Sequence, residues 1–221
     1  FYGRAQALFH IGMEAKSGEV VAILGRNGVG KTTLLKSIMG IEVSRTGRIE
    51  FDGKEIAGMK THEIASLGVA YIPDYTGLIP GLTVVENLQL ALGSREIDVN
   101  RALGVYPELK ELLARKADTL SGGERKITAI VRAILMEAKL LLLDEPTEGV
   151  MPVMAKRIYR LLRDMHGKGI TILLVEQGSR LSLARQIATR IAVMVNGRFV
   201  YQGAPESAEM EWGMLKKYLA L

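Results

Sequence analysis

Cysteine is absent from the 221 residues, which excludes disulfides, thiolate metal centres and cysteine nucleophiles. The compartment is not fixed by that absence, although a cytosolic protein needs no disulfides. Aromatic residues make up only 5% against 48% hydrophobic residues in all, a balance that suits an aliphatic α/β core better than a β-sandwich. No apolar run approaches the roughly 20 residues needed to span a bilayer, and no signal peptide is visible. The chain opens Phe1-Tyr2-Gly3-Arg4 without a methionine, as though trimmed at its start. The expectation is a soluble chain whose membrane association, if any, runs through a partner. Its length predicts one large domain, or one domain carrying an inserted subdomain. The net charge of +5 admits an anionic partner, but the basic residues are scattered and read first as a solvated surface.

What the sequence does have is Gly25-Arg26-Asn27-Gly28-Val29-Gly30-Lys31-Thr32, a G-x-x-x-x-G-K-T loop in a telling place. Before it stands the apolar run Val20 to Leu24, too short for a helix and suited to a buried parallel strand. After it, Leu34, Leu35, Ile38 and Met39 recur at helical spacing until Gly40, a residue fit to end a helix in the left-handed conformation. Strand, glycine loop, helix is the setting in which this motif cradles phosphate. Glycines let successive N–H groups converge on phosphate oxygens, and the helix start directs its positive end at the same anion. Gly25, Asn27, Gly28, Val29, Gly30, Lys31, Thr32 and Thr33 are therefore candidate nucleotide-binding positions. Lys31 would reach the β- and γ-phosphates, and the Thr32 hydroxyl would ligate Mg²⁺.

Along the chain, Leu8 to Glu19 reads as an edge strand and turn, and Gly47 to Ile56 as a hairpin on Asp52-Gly53. Val69 to Ile72 reads as a short buried strand. From Asp74 the character changes: a loop, a helix capped at Thr83 and running through Leu88, Leu90 and Leu92, a polar stretch from Gly93 to Asn100, and a further helix from Leu109 to Ala117. Residues 74–138 read as an inserted helical subdomain between core segments 1–73 and 139–221. Ser121 and Glu124 form a capping box that opens a helix with Ile127, Ile130, Val131, Ile134 and Leu135 on one face. A cap alone does not call for Gly122 and Gly123, each of which weakens a helix by roughly 1 kcal/mol; close approach to a phosphate does. Leu140 to Leu143 is a buried strand running into Asp144 and Glu145. Ligands of parallel sheets sit at the carboxyl ends of strands. Asp144 is thus placed to hold Mg²⁺, and Glu145 to orient or deprotonate an attacking water. A helix follows Pro152 and stops before Gly167. A strand from Ile170 to Val175 then runs into Glu176-Gln177, and Ile191 to Tyr201 closes as a hairpin on Asn196-Gly197. Trp212, Leu215 and Leu219 read as helix packing.

Phosphate loop, Leu120-Ser121-Gly122-Gly123-Glu124 and a leucine strand ending Asp144-Glu145-Pro146 together resemble the ATP-binding cassette (ABC) ATPases, over essentially the whole chain. The resemblance implies a RecA-like α/β core with an antiparallel β part and an inserted helical subdomain. It also implies that two cassettes pack head to tail, so that Ser121, Gly122 and Gly123 serve the ATP of the neighbour. Tyr2 sits where the family stacks an aromatic on adenine. Where the family usually has a glutamine stands Asp74, able to bind Mg²⁺ through water; where it has a switch histidine stands Gln177, able to hydrogen-bond the γ-phosphate but not to become cationic. Leu82-Thr83-Val84-Val85-Glu86-Asn87-Leu88, Glu148-Gly149-Val150-Met151-Pro152 and Leu173-Leu174-Val175-Glu176-Gln177 look like the ATPases of branched-chain amino-acid importers, with those of urea and short-amide importers closely similar. The implied partners are a second cassette subunit, two transmembrane permeases and, indirectly, a solute-binding protein, at the cytoplasmic face of the membrane. Nucleic acid is not expected: no coiled coil separates the phosphate loop from the signature, and there is one cassette where translation-type members have two. A nucleotide-binding regulator without turnover is the remaining possibility, kept open by Gln177 and opposed by Glu145.

Overall fold

The computed structural model describes residues 1–93 and 95–210. Its frame is a six-stranded sheet in the order β4-β5-β6-β1-β7-β8, formed by β1 (Val20–Gly25), β4 (Val69–Ile72), β5 (Leu140–Asp144), β6 (Thr171–Gln177), β7 (Arg190–Val195) and β8 (Arg198–Gly203). The first five strands in that order run parallel, and β8 pairs antiparallel with β7. A two-stranded hairpin, β2 (Glu50–Phe51) with β3 (Lys54–Glu55), turns through Asp52 and Gly53, both at positive φ, as a type I′ turn requires.

The unbroken apolar strands are explained by burial on both faces. Val20, Ala22 and Leu24 of β1 and Leu141 and Leu143 of β5 pack into one core with Val84, Leu88, Ile127, Ile130, Ile158 and Leu162. Val21 and Ile23, with Leu140 and Leu142, face a second core built with Leu34, Leu35 and Met39. On that second face lie α1 (Lys31–Met39) and α2 (Thr61–Ser66). Arg45 fastens the end of α1 to the hairpin side, donating to the carbonyls of Ser37, Ile38, Ile56, Ala57 and Met59.

Between β4 and β5 run α3 (Val84–Leu92), α4 (Val99–Val105) and α5 (Gly122–Leu135), with no strand among the described residues. The capping boxes at Thr83 and Ser121 both form. These helices share their apolar core with the sheet rather than owning a separate one. Then come α6 (Pro152–Gly167), α7 (Leu181–Ala184) and α8 (Pro205–Met210).

Several local expectations are corrected. Residues 8–16 form no ladder: Leu8, Ile11, Met13 and Ala15 lean on the second core, but the backbone is irregular and His10 has φ 51°. The segment from Leu109 to Ala117 is not a helix. A 3₁₀ turn at Pro107–Glu111 gives way to turns and a second 3₁₀ turn at Ala117–Thr119, because only Leu109 and Leu112 are deeply buried there along with Ala117. The stretch read as polar loop contains the start of α4, capped by Asp98, whose side chain accepts from Arg101 N–H. Helix α6 runs one residue further than expected, through Gly167. Trp212, Leu215 and Leu219 lie outside the described residues.

Candidate nucleotide site

Parallel pairing brings four strand ends to one edge. In register, Ile72 stands beside Leu143, Asp144 beside Val175, and Gly25 beside Gln177. The loops that leave β1, β4, β5 and β6 therefore open on the same space, the position where parallel sheets bind ligands. That space is a cavity of about 280 Å³ lined by Asn27, Gly28, Gly30, Lys31, Thr32, Thr33, Asp74, Asp144, Glu145 and Glu148.

The loop after β1 needs glycine where it turns. Gly30 caps α1 with φ 108°, and a Cβ there would stand 2.9 Å from Leu8. Gly25 is fixed by a different contact: a Cβ would come within 2.6 Å of the Met194 carbonyl on β7. Helix α1 starts at Lys31, whose ammonium donates to the Gly25 and Arg26 carbonyls at 3.1 and 3.0 Å and pairs with Glu145 Oε1 at 3.1 Å. Next to it the Thr32 hydroxyl donates to Asp144 Oδ1 at 2.9 Å, while Tyr71 OH donates to Oδ2 at 2.9 Å. Burial pushes the Asp144 carboxyl above its ordinary value, against the pull of those two hydrogen bonds. The Tyr71 hydroxyl is raised by burial and by the Asp144 charge, so it stays a donor.

Glu145 lies one residue past β5 in the left-handed region, φ 44°. Burial acts to raise its carboxyl, yet the Lys31 charge and hydrogen bonds from Lys31, Glu148 and Gln177 outweigh it and hold the group below its ordinary value. Gln177 Nε2 donates to Glu145 Oε2 and to Glu148 Oε1, each at 3.2 Å. Glu148 is raised, first by its hydrogen bond with Glu145 and then by burial. Gln177 thus bridges the two carboxyls. Behind them Glu176, 1% exposed, accepts from Thr147 Oγ1 at 2.6 Å and Tyr159 OH at 3.4 Å. Burial pushes Glu176 up to about 6.

The other expected residues are distributed unevenly. Asp74 lines the cavity and turns Oδ1 onto the Tyr75 N–H. Tyr2 is 43% exposed, its OH 3.4 Å from Thr33 Oγ1, at the mouth rather than inside. Gly25, Val29 and Gln177 support the lining without forming it. Ser121, Gly122 and Gly123 are not in this cavity. Ser121 is exposed, and Gly122 lines a neighbouring cleft that also includes Asp74, Lys126, Glu148 and Gly149. Gly123 has a reason of its own, since a Cβ would stand 2.9 Å from Met154 and 3.2 Å from Val150. Phosphate approach is therefore not needed to account for that glycine, contrary to the expectation.

Sequence reasoning passed over Tyr71, Lys126, Thr147 and the chemistry of Glu148 and Glu176. A period-2 count along Val69–Ile72 puts Tyr71 on the same face as Val69, against the second core, and only the hydrogen bond from its OH to Asp144 on β5 reveals its partner. Glu148, three residues past Glu145, was the one with a findable signal.

A phosphate loop at the carboxyl edge of a parallel sheet, facing an acid pair on a neighbouring strand, defines a nucleoside-triphosphate-binding protein of the phosphate-loop class. Residues 8–148 match the family described as ABC transporter. The chain is 36% identical over 205 residues to the high-affinity branched-chain amino acid transport ATP-binding protein BraG of Pseudomonas aeruginosa, covering 90% of this chain and 87% of that one. It is 37% identical to the probable branched-chain amino acid transport ATP-binding protein LivF of Archaeoglobus fulgidus, with 91% and 87% covered. Among solved structures, the ATP-binding cassette MJ1267 superposes with a TM-score of 0.86 at 28% identity, over all of this chain and 94% of that one. The chain belongs to the ABC transporter family of ATP-binding cassettes. As a member it binds and hydrolyses ATP.

Proposed function

We propose that this cassette powers an importer of branched-chain amino acids. The observation that carries the chemical part is the convergence of Lys31, Thr32, Asp144 and Glu145 on one cavity at a single sheet edge, with Gln177 hydrogen-bonded to Glu145. The likeness to BraG and LivF supports the choice of solute.

The loop amides from Gly25 to Thr33 and the Lys31 ammonium hold the phosphates, and Tyr2 stacks on the base at the cavity mouth. Mg²⁺ fits the donor set, because a hydroxyl and a carboxylate already stand 2.9 Å apart at Thr32 and Asp144, with Asp74 on the same cavity. Such a site leaves most of the coordination to water and phosphate oxygens, as Mg²⁺ prefers. Bound there, the ion would neutralise charge on the β- and γ-oxygens. Glu145 takes a proton from the attacking water and Gln177 orients the γ-phosphate. Segment 74–138 acts as a helical subdomain on the core of 1–73 and 139–221. It presents Ser121, Gly122 and Gly123 to the nucleotide of a second cassette. Two permease subunits anchor the pair at the cytoplasmic face of the membrane and receive solute from a binding protein.

The test is uptake into proteoliposomes holding the assembled complex, with ATP inside and labelled leucine, isoleucine, valine or urea outside. ATP-dependent uptake of the three amino acids is expected. Uptake of urea alone, or ATP turnover without any uptake, would overturn the reading of the solute.

A further inference from the structure

Lys126 is a lysine that α5 buries. It stands beside Ile127 and one turn before Ile130 on the apolar side of the helix, and only 5% of it is exposed. Among the described residues no carboxylate pairs with it at ion-pair distance; Nζ donates instead to the backbone carbonyl of Glu145 at 3.2 Å. Taking an ammonium out of water without a counter-ion is costly. A Met or Leu would fill the same space at less cost, so packing does not explain the residue.

The carbonyl it meets belongs to the strained residue of the site. Glu145 holds φ 44°, a conformation that costs a side-chain-bearing residue on the order of 1–2 kcal/mol. The same carbonyl also accepts the Glu148 N–H at 3.1 Å, so two donors fix the turn from Glu145 to Glu148. The direction of the Glu145 carboxylate, toward Lys31 on one oxygen and Gln177 on the other, follows from that backbone.

We propose that Lys126 is a positioning residue for ATP hydrolysis: from α5 it clamps the Glu145 peptide in its left-handed conformation and so aims the carboxylate at the attacking water. The clamp deepens the reading of Glu145 as the base and rests on it. It also joins the helix that begins at the exposed Ser121 and the half-buried Gly122 to the proposed hydrolytic carboxylate of its own subunit.

The test measures ATP turnover by the whole complex carrying Lys126→Met, Lys126→Arg or Glu145→Gln. Lys126→Met should lower kcat about tenfold or more, the loss expected for one charge-assisted hydrogen bond, with the KM for ATP within twofold. Its melting temperature should hold or rise, since an apolar side chain replaces a buried charge; a purely structural lysine would show the reverse. Lys126→Arg, which keeps a cationic donor, should stay within threefold of the wild-type kcat. Wild-type kcat in Lys126→Met, or Lys126→Arg falling as far as Lys126→Met, overturns the proposal. If Lys126→Met fails to fold, Lys126→Leu, which also lacks a donor, replaces it, with the same fall in kcat expected and an unchanged kcat fatal. Glu145→Gln separates the two readings, because undiminished turnover there removes the base and not merely its clamp.

Discussion

Lys31 and Glu145 hold each other: Nζ lies 3.1 Å from Oε1, with the two side chains 4% and 11% exposed. The ammonium proposed for the phosphates and the carboxylate proposed for the water neutralise one another in this pair. On the proposed roles, a triphosphate that takes up Lys31 competes with Glu145 for the ammonium and frees one carboxylate oxygen.

Glu145→Gln therefore has two effects of opposite sign. Turnover should fall at least 100-fold, because general-base catalysis is worth roughly 10²–10⁴. Affinity for ATP should rise several-fold, because Lys31 no longer leaves an anion in order to bind one. Single-turnover hydrolysis and binding of a fluorescent ATP analogue measure both. A weaker affinity in the variant would mean that the ion pair prepares Lys31 for phosphate rather than competing with it.

Lys31→Ala removes the only cation within ion-pair distance of Glu145 among the described residues. Nucleotide affinity should drop by about 100-fold or more, in line with the loss of a desolvated charge–phosphate contact. The apo protein should also lose pH-dependent stability. A carboxyl held below its ordinary value stabilises the fold above that value and ceases to do so as pH falls through the folded value, and without Lys31 the Glu145 contribution shrinks. Calorimetric titration with ATP and thermal melts at two pH values separate the effects. An unchanged affinity would remove Lys31 from the phosphate site.

Glu176 gives a prediction with the opposite pH sign. Burial raises its carboxyl from 4.5 to about 6, so the protonated form is the one the fold favours. Its stabilising share is complete below the unfolded value and lost as pH rises to about 6. Above that pH the buried charge costs about 2 kcal/mol relative to a neutral group. Glu176→Gln keeps an oxygen to accept from Thr147 and stays neutral throughout. The variant should match wild type near pH 4.5 and melt several degrees higher at pH 7.5. Parallel melting curves across that range would refute the raised value.

Much of this was legible before the fold was known, for a physical reason. Val20 to Leu24 and Leu140 to Leu143 are apolar at every position because both faces of the sheet are covered. Such runs announce buried parallel strands, and their carboxyl ends then collect the loop residues. Asp52-Gly53 and Asn196-Gly197 announce their turns through backbone angles few other pairs adopt. What was missed depends on contacts between segments. Tyr71 acquires meaning only through Asp144, and Glu176 only through Thr147 and Tyr159. A lysine within a helix reads as solvated, so Lys126 gave no sign of its carbonyl partner. Residues 8–16 carry strand-like alternation but find no ladder, and α4 buries too little beyond Ala102 to declare itself.

The two glycines that open α5 should separate cleanly by experiment. A methyl group at Gly123 would meet Met154 at 2.9 Å and Val150 at 3.2 Å, inside the contact between α5 and α6. Overpacking of that kind typically costs about 1–3 kcal/mol, so Gly123→Ala should lower the melting temperature by several degrees before any question of activity arises. At Gly122 the nearest atom is the Gly149 carbonyl, 3.9 Å away, and alanine is the better helix former by about 1 kcal/mol. Gly122→Ala should therefore melt at or slightly above the wild-type temperature. If the exposed start of α5 closes on the nucleotide of a neighbouring cassette, that same methyl group obstructs backbone approach to a phosphate. Turnover by the assembled complex should then fall tenfold or more despite an intact fold. A Gly122→Ala complex that hydrolyses ATP at the wild-type rate would place the neighbour's nucleotide away from this helix start.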